Sequence, residues 1–315
     1  MIRRKGGRKL LAGSVALAAL LWSAQGVAHV ERQPLYDGPA PGSESWEHER
    51  VAIERDGAVS VYNTRQPVYE LLLPRPDRAS GAALVMLPGG GLRVLGTGAA
   101  LQDEIDALVR EGVGVLMLEY RTLQFSPAEL EWMTAPPPPR DPADPPARFP
   151  RMEIVNGNAN PAAGTIAMTD VLELATQDAQ AALRLLHANA AEWNIDPDRI
   201  GVMGTSAGGG VAFGTLLDRQ AAADERPDFL VSIFGPSLQD VATWEGAPPL
   251  FMAVEAEHGA VTDGLIEVFR IWNAAYQPAE LHIYDVPNFT MTEKLWGPPL
   301  FDWMRSRGIL RVTGD

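Results

Sequence analysis

From residue 83 onward, short unbroken apolar runs alternate with stretches whose apolar positions recur at helical spacing. The runs 83–87, 113–120, 200–203, 229–234, 250–254 and 281–284 predict buried strands; the stretches 98–110, 166–191, 207–223, 263–275 and 298–307 predict helices. Strands separated by helices of this length need crossover connections, so the pattern predicts an α/β fold with a mainly parallel sheet and helices on both faces. Ahead of it, 51–54, 59–63 and 68–73 read as shorter β pieces behind a polar N-terminal segment.

The rhythm breaks between residues 122 and 164. Pro136, Pro137, Pro138 and Pro139, a second proline-containing stretch at 141–146 and Asn156-Gly157-Asn158 fall there. Proline at this density removes donors and fixes φ, which predicts extended surface chain and not a core strand or helix. Such an insertion serves either as a lid over the strand ends or as surface decoration. No internal repeat occurs.

Residues 1–28 read as a secretory signal: Arg3, Arg4, Lys5, Arg8 and Lys9, then an apolar stretch over 10–22, then Gly26-Val27-Ala28 as a small-x-small cleavage site. The apolar stretch is shorter than the roughly 20 residues that span a bilayer, so cleavage near His29 and a periplasmic or secreted protein are expected, without stable membrane insertion afterwards. Residues 29–315 then form one domain carrying the insertion. The chain has a net charge of −14, and loss of the signal removes five basic residues and no acidic one. That surface argues against nucleic acid or anionic lipid as a partner. There is no cysteine, which excludes disulfides, thiolate catalysis and Cys-based metal sites.

The chemistry centres on Gly204-Thr205-Ser206-Ala207-Gly208, between the run ending at Met203 and the next helix start. The G-x-S-x-G spacing marks a sharp strand-to-helix turn that exposes the serine, with Ala207 N–H at the helix N-terminus able to hold an oxyanion. Upstream, Pro88-Gly89-Gly90-Gly91 closes the strand at 83–87, and consecutive glycines let backbone N–H groups approach a ligand closely. No H-E-x-x-H or paired-His spacing points to a metal, and no cofactor is implied.

With Pro88-Gly89-Gly90-Gly91 and the elbow, Glu119-Tyr120-Arg121, residues 178–184, 192–210 and 226–229 and Glu280-Leu281-His282-Ile283-Tyr284 resemble the acetyl-esterase and acetylxylan-esterase group of α/β-hydrolases. The resemblance covers roughly residues 68–307. It implies the α/β-hydrolase fold, Ser206 as nucleophile, and Gly90, Gly91 and Ala207 as oxyanion donors. It also implies an acid after the next-to-last core strand and a histidine after the last one. Glu257 and His258 stand where relatives carry a paired Asp-Asp, and Phe289 stands where the catalytic histidine belongs.

The other histidines do not fill that gap. His29 and His48 precede the expected fold, His187 lies in a helical run, and His282 alternates along the last strand. His258 is left as the candidate base, with Glu257 or Glu255 to orient it. Asp240 and Asp285 would serve only if burial raised their pKa. Two functions follow: an exported serine carboxylic-ester hydrolase, acting on a small-molecule or carbohydrate ester through an acyl-enzyme, or a catalytically impaired relative that binds its ligand without hydrolysis.

Overall fold

The computed structural model describes residues 21–22, 28–135, 152–161, 166–288 and 290–311. In chain order the strands are β1 (Leu21–Trp22), β2 (Ala28–Pro34), β3 (Val51–Arg55), β4 (Ala58–Tyr62), β5 (Val68–Leu73), β6 (Ala83–Leu87), β7 (Val94–Gly98), β8 (Gly114–Glu119), β9 (Ile200–Thr205), β10 (Leu230–Ile233), β11 (Leu250–Glu255) and β12 (Ala279–Tyr284). The helices are α1 (Ala99–Arg110), α2 (Pro127–Thr134), α3 (Ile166–Ala188), α4 (Ala207–Leu217), α5 (Ala260–Ala274) and α6 (Glu293–Ser306).

Nine strands form the main sheet in the order β1-β2-β5-β8-β6-β9-β10-β11-β12. From β8 to β12 every pairing is parallel, while β1, β2 and β5 add on antiparallel. β6, β8, β9, β10 and β11 are buried along their whole length, which is why they read as unbroken apolar runs. Their alternate residues feed two cores. Val85, Leu87 and Val202 pack on one face with Leu183, Val211, Phe213 and Trp272. Leu84, Met86 and Met203 pack on the other with Ile105, Leu108, Trp296 and Leu300.

The structure departs from the sequence pattern in four places. His29 does not precede the fold: it lies in β2, paired with Leu72 of β5. Arg32 of β2 anchors this strand on the buried Glu119, Nη1 to Oε1 at 2.7 Å, and Arg50 joins the same carboxylate at 3.0 and 3.1 Å. Residues 94–98 form a strand ahead of α1, and β3, β4 and β7 make a separate antiparallel sheet. Within the insertion, residues 127–134 are helical: Ser126 caps α2, Glu129 returns the capping box and Pro127 sits at its first turn. The proline-rich residues 136–146 lie outside the described residues.

α6 begins five residues before Pro298, the start that the proline suggested. Pro299 has no N–H for the Leu295 carbonyl one turn back, and Tyr284 OH donates to that carbonyl at 3.1 Å. The helix can thus pass through two prolines with that acceptor still partnered.

Candidate active site

Ser206 joins β9 to α4 with φ 50° and ψ −127°, a left-handed backbone that costs about 1–3 kcal/mol for a non-glycine residue. The fold holds it from both sides: Ser206 N donates to Ile233 O at 3.2 Å, and Gly209 N donates to Ser206 O at 2.9 Å. The flanking glycines are steric requirements. A Cβ on Gly204 would lie 2.3 Å from Gly208 O, and one on Gly208 would lie 2.0 Å from Leu87 O.

The loop after β6 lies directly over the serine. A Cβ on Gly89 would fall 2.8 Å from Ser206 Cβ, and Gly89 N donates to Thr205 Oγ1 at 3.0 Å. Gly90, at φ 136°, leaves no space for a side chain, since a Cβ there would be 1.8 Å from Val94 O. Its carbonyl accepts from Arg93 N and Val94 N, which fixes the turn. Among the described residues, the N–H groups of Gly90 and Gly91 donate to no backbone carbonyl in the loop, and Ala207 begins α4 directly after Ser206.

This loop is tied to the core by the Glu119-Tyr120-Arg121 segment. Tyr120 OH donates to Pro88 O at 2.5 Å, and burial pushes the phenol well above its ordinary pKa. Next to it the fully buried Arg121 meets the fully buried Asp178, Nη2 to Oδ1 at 2.7 Å, while Tyr36 OH donates to the same carboxylate at 2.8 Å. Leu123 N adds a bond to Leu92 O at 2.8 Å.

On the acid–base side, the structure pairs His258 with Glu255 and not with Glu257. His258 Nδ1 lies 2.8 Å from Glu255 Oε2, and both side chains are buried. Glu257 is exposed, with its carbonyl accepting from Asn288 Nδ2 at 3.1 Å. Glu255 belongs to β11, so its side chain projects from a fixed strand, whereas Glu257 follows in the turn. The position of Phe289 lies outside the described residues. Among those described, no hydrogen bond joins Ser206 Oγ to His258. β10 lies between β9 and β11, so those two strands run about 10 Å apart.

Other carboxylates take different places. Asp240 accepts from Asn158 Nδ2 at 2.9 Å and Asn156 Nδ2 at 3.2 Å, and these bonds hold its pKa below the usual carboxylate range. That is opposite to what a base there would need. Glu104 on α1, which no sequence motif singles out, is pushed up to about 8 by burial and then by Glu293. His282 bonds Glu280 at 2.7 Å and packs on Phe251, a structural role at the sheet edge. No group of three or more metal-binding side chains occurs among the described residues.

Residues 167–285 match a family model described as alpha/beta hydrolase fold, a span that contains Ser206, Glu255 and His258. An acetyl ester-xyloside bifunctional hydrolase from Caldicellulosiruptor lactoaceticus superimposes with a TM-score of 0.55 at 17% identity, over 89% of this chain and 97% of its own. A thermophilic esterase from Thermogutta terrifontis gives 0.54 at 14%, over 86% and 96%. A lipase/esterase from Lactobacillus plantarum gives 0.54 at 12%, over 84% and 99%. None of the curated proteins compared with the chain matches it significantly. The chain has the α/β-hydrolase fold.

Proposed function

We propose that this protein is an exported serine carboxylic-ester hydrolase that acts through an acyl-enzyme on Ser206. The observation that carries this reading is the strained Ser206 at the strand-to-helix turn, packed against Gly89 of the glycine-rich loop after β6; the N–H groups of Gly90, Gly91 and Ala207 are the donors that the sequence resemblance suggests. In the reaction Oγ attacks the ester carbonyl carbon, the carbonyl oxygen becomes an oxyanion on those three donors, and the alcohol leaves. His258 takes the Oγ proton at Nε2, the ring nitrogen remote from Glu255, directly after a shift or through one water. Glu255 holds the tautomer and would face the imidazolium that forms, the part an aspartate plays in other triads. Water then repeats the attack and frees the serine. An acetylated small molecule or carbohydrate is the substrate class suggested by the sequence resemblance, and the bifunctional hydrolase of similar fold acts on an acetyl ester by its name.

A second reading, ligand binding without turnover, is favoured by Phe289 standing where the sequence resemblance expects the catalytic histidine. Loss of an effective base typically lowers turnover by about 10⁶, or about 8 kcal/mol, so the two readings differ sharply in rate. Incubation with a fluorophosphonate probe and with p-nitrophenyl acetate separates them. Labelling and turnover should vanish in Ser206→Ala, fall in His258→Ala and Glu255→Gln, and persist in Glu257→Gln. A wild-type protein with no Ser206-dependent signal refutes hydrolysis and leaves the binding reading.

A further inference from the structure

A groove of about 620 Å³ is lined by α3, by α4 and by residues 238–240 of the segment after β10. None of the residues placed in the active site lines it. Gln180 in its wall is only 8% exposed; its Nε2 donates to Asp218 Oδ2 at 2.9 Å, and its Oε1 has no donor among the described residues. Asp218 is fixed from its other oxygen by Gln220 N at 3.0 Å, as Asp240 is by Asn156 and Asn158. Gln177 Nε2 meets only Glu173 Oε1, at 3.5 Å, and the Gln239 side-chain amide has no partner among the described residues. The groove thus holds two anchored carboxylates among three amides with unused hydrogen-bonding capacity.

Side-chain amides both donate and accept, whereas carboxylates only accept. A ligand that suits the two together must give and take hydrogen bonds at closely spaced atoms, as neighbouring hydroxyls do. Among the described residues no Lys or Arg lines the groove, while Glu173, Asp218 and Asp240 do, so an anionic ligand is repelled. Leu172, Leu217 and Leu238 add apolar surface of the kind that the C–H face of a sugar ring covers. The volume lies within the roughly 300–1,000 Å³ of ligand clefts. We propose that this groove is a binding site for a neutral carbohydrate chain, separate from the serine elbow. Its place in the fold suits that role. A Cβ on Gly210 would lie 2.4 Å from Leu238, and Gly210 is one turn of α4 beyond Ser206, about 6 Å along the axis. β10 runs parallel to β9, so residues 238–240 follow the same end of the sheet as Ser206. An ester carried by the bound chain would be held near Ser206, a consequence that rests on the hydrolase reading; the binding itself does not.

The test is titration of the protein with xylotetraose, cellotetraose and maltotetraose, followed by calorimetry and by NMR of the side-chain amides. At least one sugar should bind with a Kd of about 1 mM or tighter and shift the amide resonances of Gln177, Gln180 and Gln239. Replacing Gln177→Ala and Gln239→Ala together should weaken it about tenfold or more, with the melting temperature as the check on folding. Affinity should be unchanged in Ser206→Ala and between about 0.05 and 0.5 M salt, as for a neutral ligand. No binding of any of the three sugars, binding indifferent to the two glutamines, or binding lost in Ser206→Ala overturns the proposal. Spermidine or calcium shifting the same amides where no sugar does would make the groove a cation site and overturns it as well. If Ser206 takes no fluorophosphonate, the hydrolase reading fails, and the titration still decides whether the groove binds carbohydrate.

Discussion

Replacing Asp178 by Ala removes the acceptor for Arg121 N at 3.0 Å, Arg121 Nε at 2.9 Å, Arg121 Nη2 at 2.7 Å and Tyr36 OH at 2.8 Å. Arg121 keeps its bonds to Leu174 O and Pro41 O but loses its countercharge while fully buried. Breaking a buried ion pair from one side typically costs about 3–5 kcal/mol, because the remaining charge is neither solvated nor paired. At about 2 °C per kcal/mol for a domain of this size, the melting temperature should fall by roughly 6–10 °C. Thermal and urea unfolding, followed by circular dichroism, measure the loss. The double variant Arg121→Met with Asp178→Leu removes both charges and should recover most of it. A loss below about 1 kcal/mol in the single variant, or no recovery in the double, refutes the account. Tyr120 sits beside Arg121 and holds Pro88 O, so the single variant should also label more slowly at Ser206 below its melting point.

Glu104 makes stability pH-dependent: with a folded pKa of about 8 against an ordinary 4.5, the folded state holds a proton that the unfolded chain has lost. Stability from this group is therefore lost as pH rises between those values, and Glu104→Gln should raise the melting temperature at pH 8.5 but not at pH 4. Equal gains at both pH values would show that its proton is not involved. On the proposed reading of Gly90 as an oxyanion donor, Gly90→Ala, which places a Cβ against Val94 O, should lower Ser206-dependent turnover about 100-fold or more. Parent-like turnover in that variant would remove Gly90 from the oxyanion site.

Much of the site is legible in the sequence because small residues have few reasons to recur at fixed spacing. Gly204, Ser206 and Gly208 predict the turn, and the structure places backbone carbonyls where side chains on the two glycines would stand. The central strands are equally readable, since burial on both faces demands unbroken apolar runs. β2 is not, because a strand at the margin of the sheet carries Glu31, Arg32 and Gln33, polar residues that look like loop until Glu119 is seen to bind Arg32. α2 is hidden by the surrounding prolines, although Ser126, Pro127 and Glu129 form a capping signature that could have identified it. Glu255 and Glu257 are both acidic neighbours of His258, and only the end of β11 decides which one faces the ring. Phe234, which follows β10 with φ at 38°, offers no signal at all, because nothing about a phenylalanine announces a positive φ.

The pairing of β6 with β9 also bears on how the protein matures. Gly89 and Thr205 are bonded across 116 residues of chain, and the loop and the elbow exist only when those two strands are in register. Contacts this distant in sequence form late, since the intervening chain must be ordered first. A partly folded chain therefore has no strained Ser206 and no glycine-rich loop packed against it. Reactivity at this serine would report completion of folding, and a chain would remain chemically silent until its sheet closes.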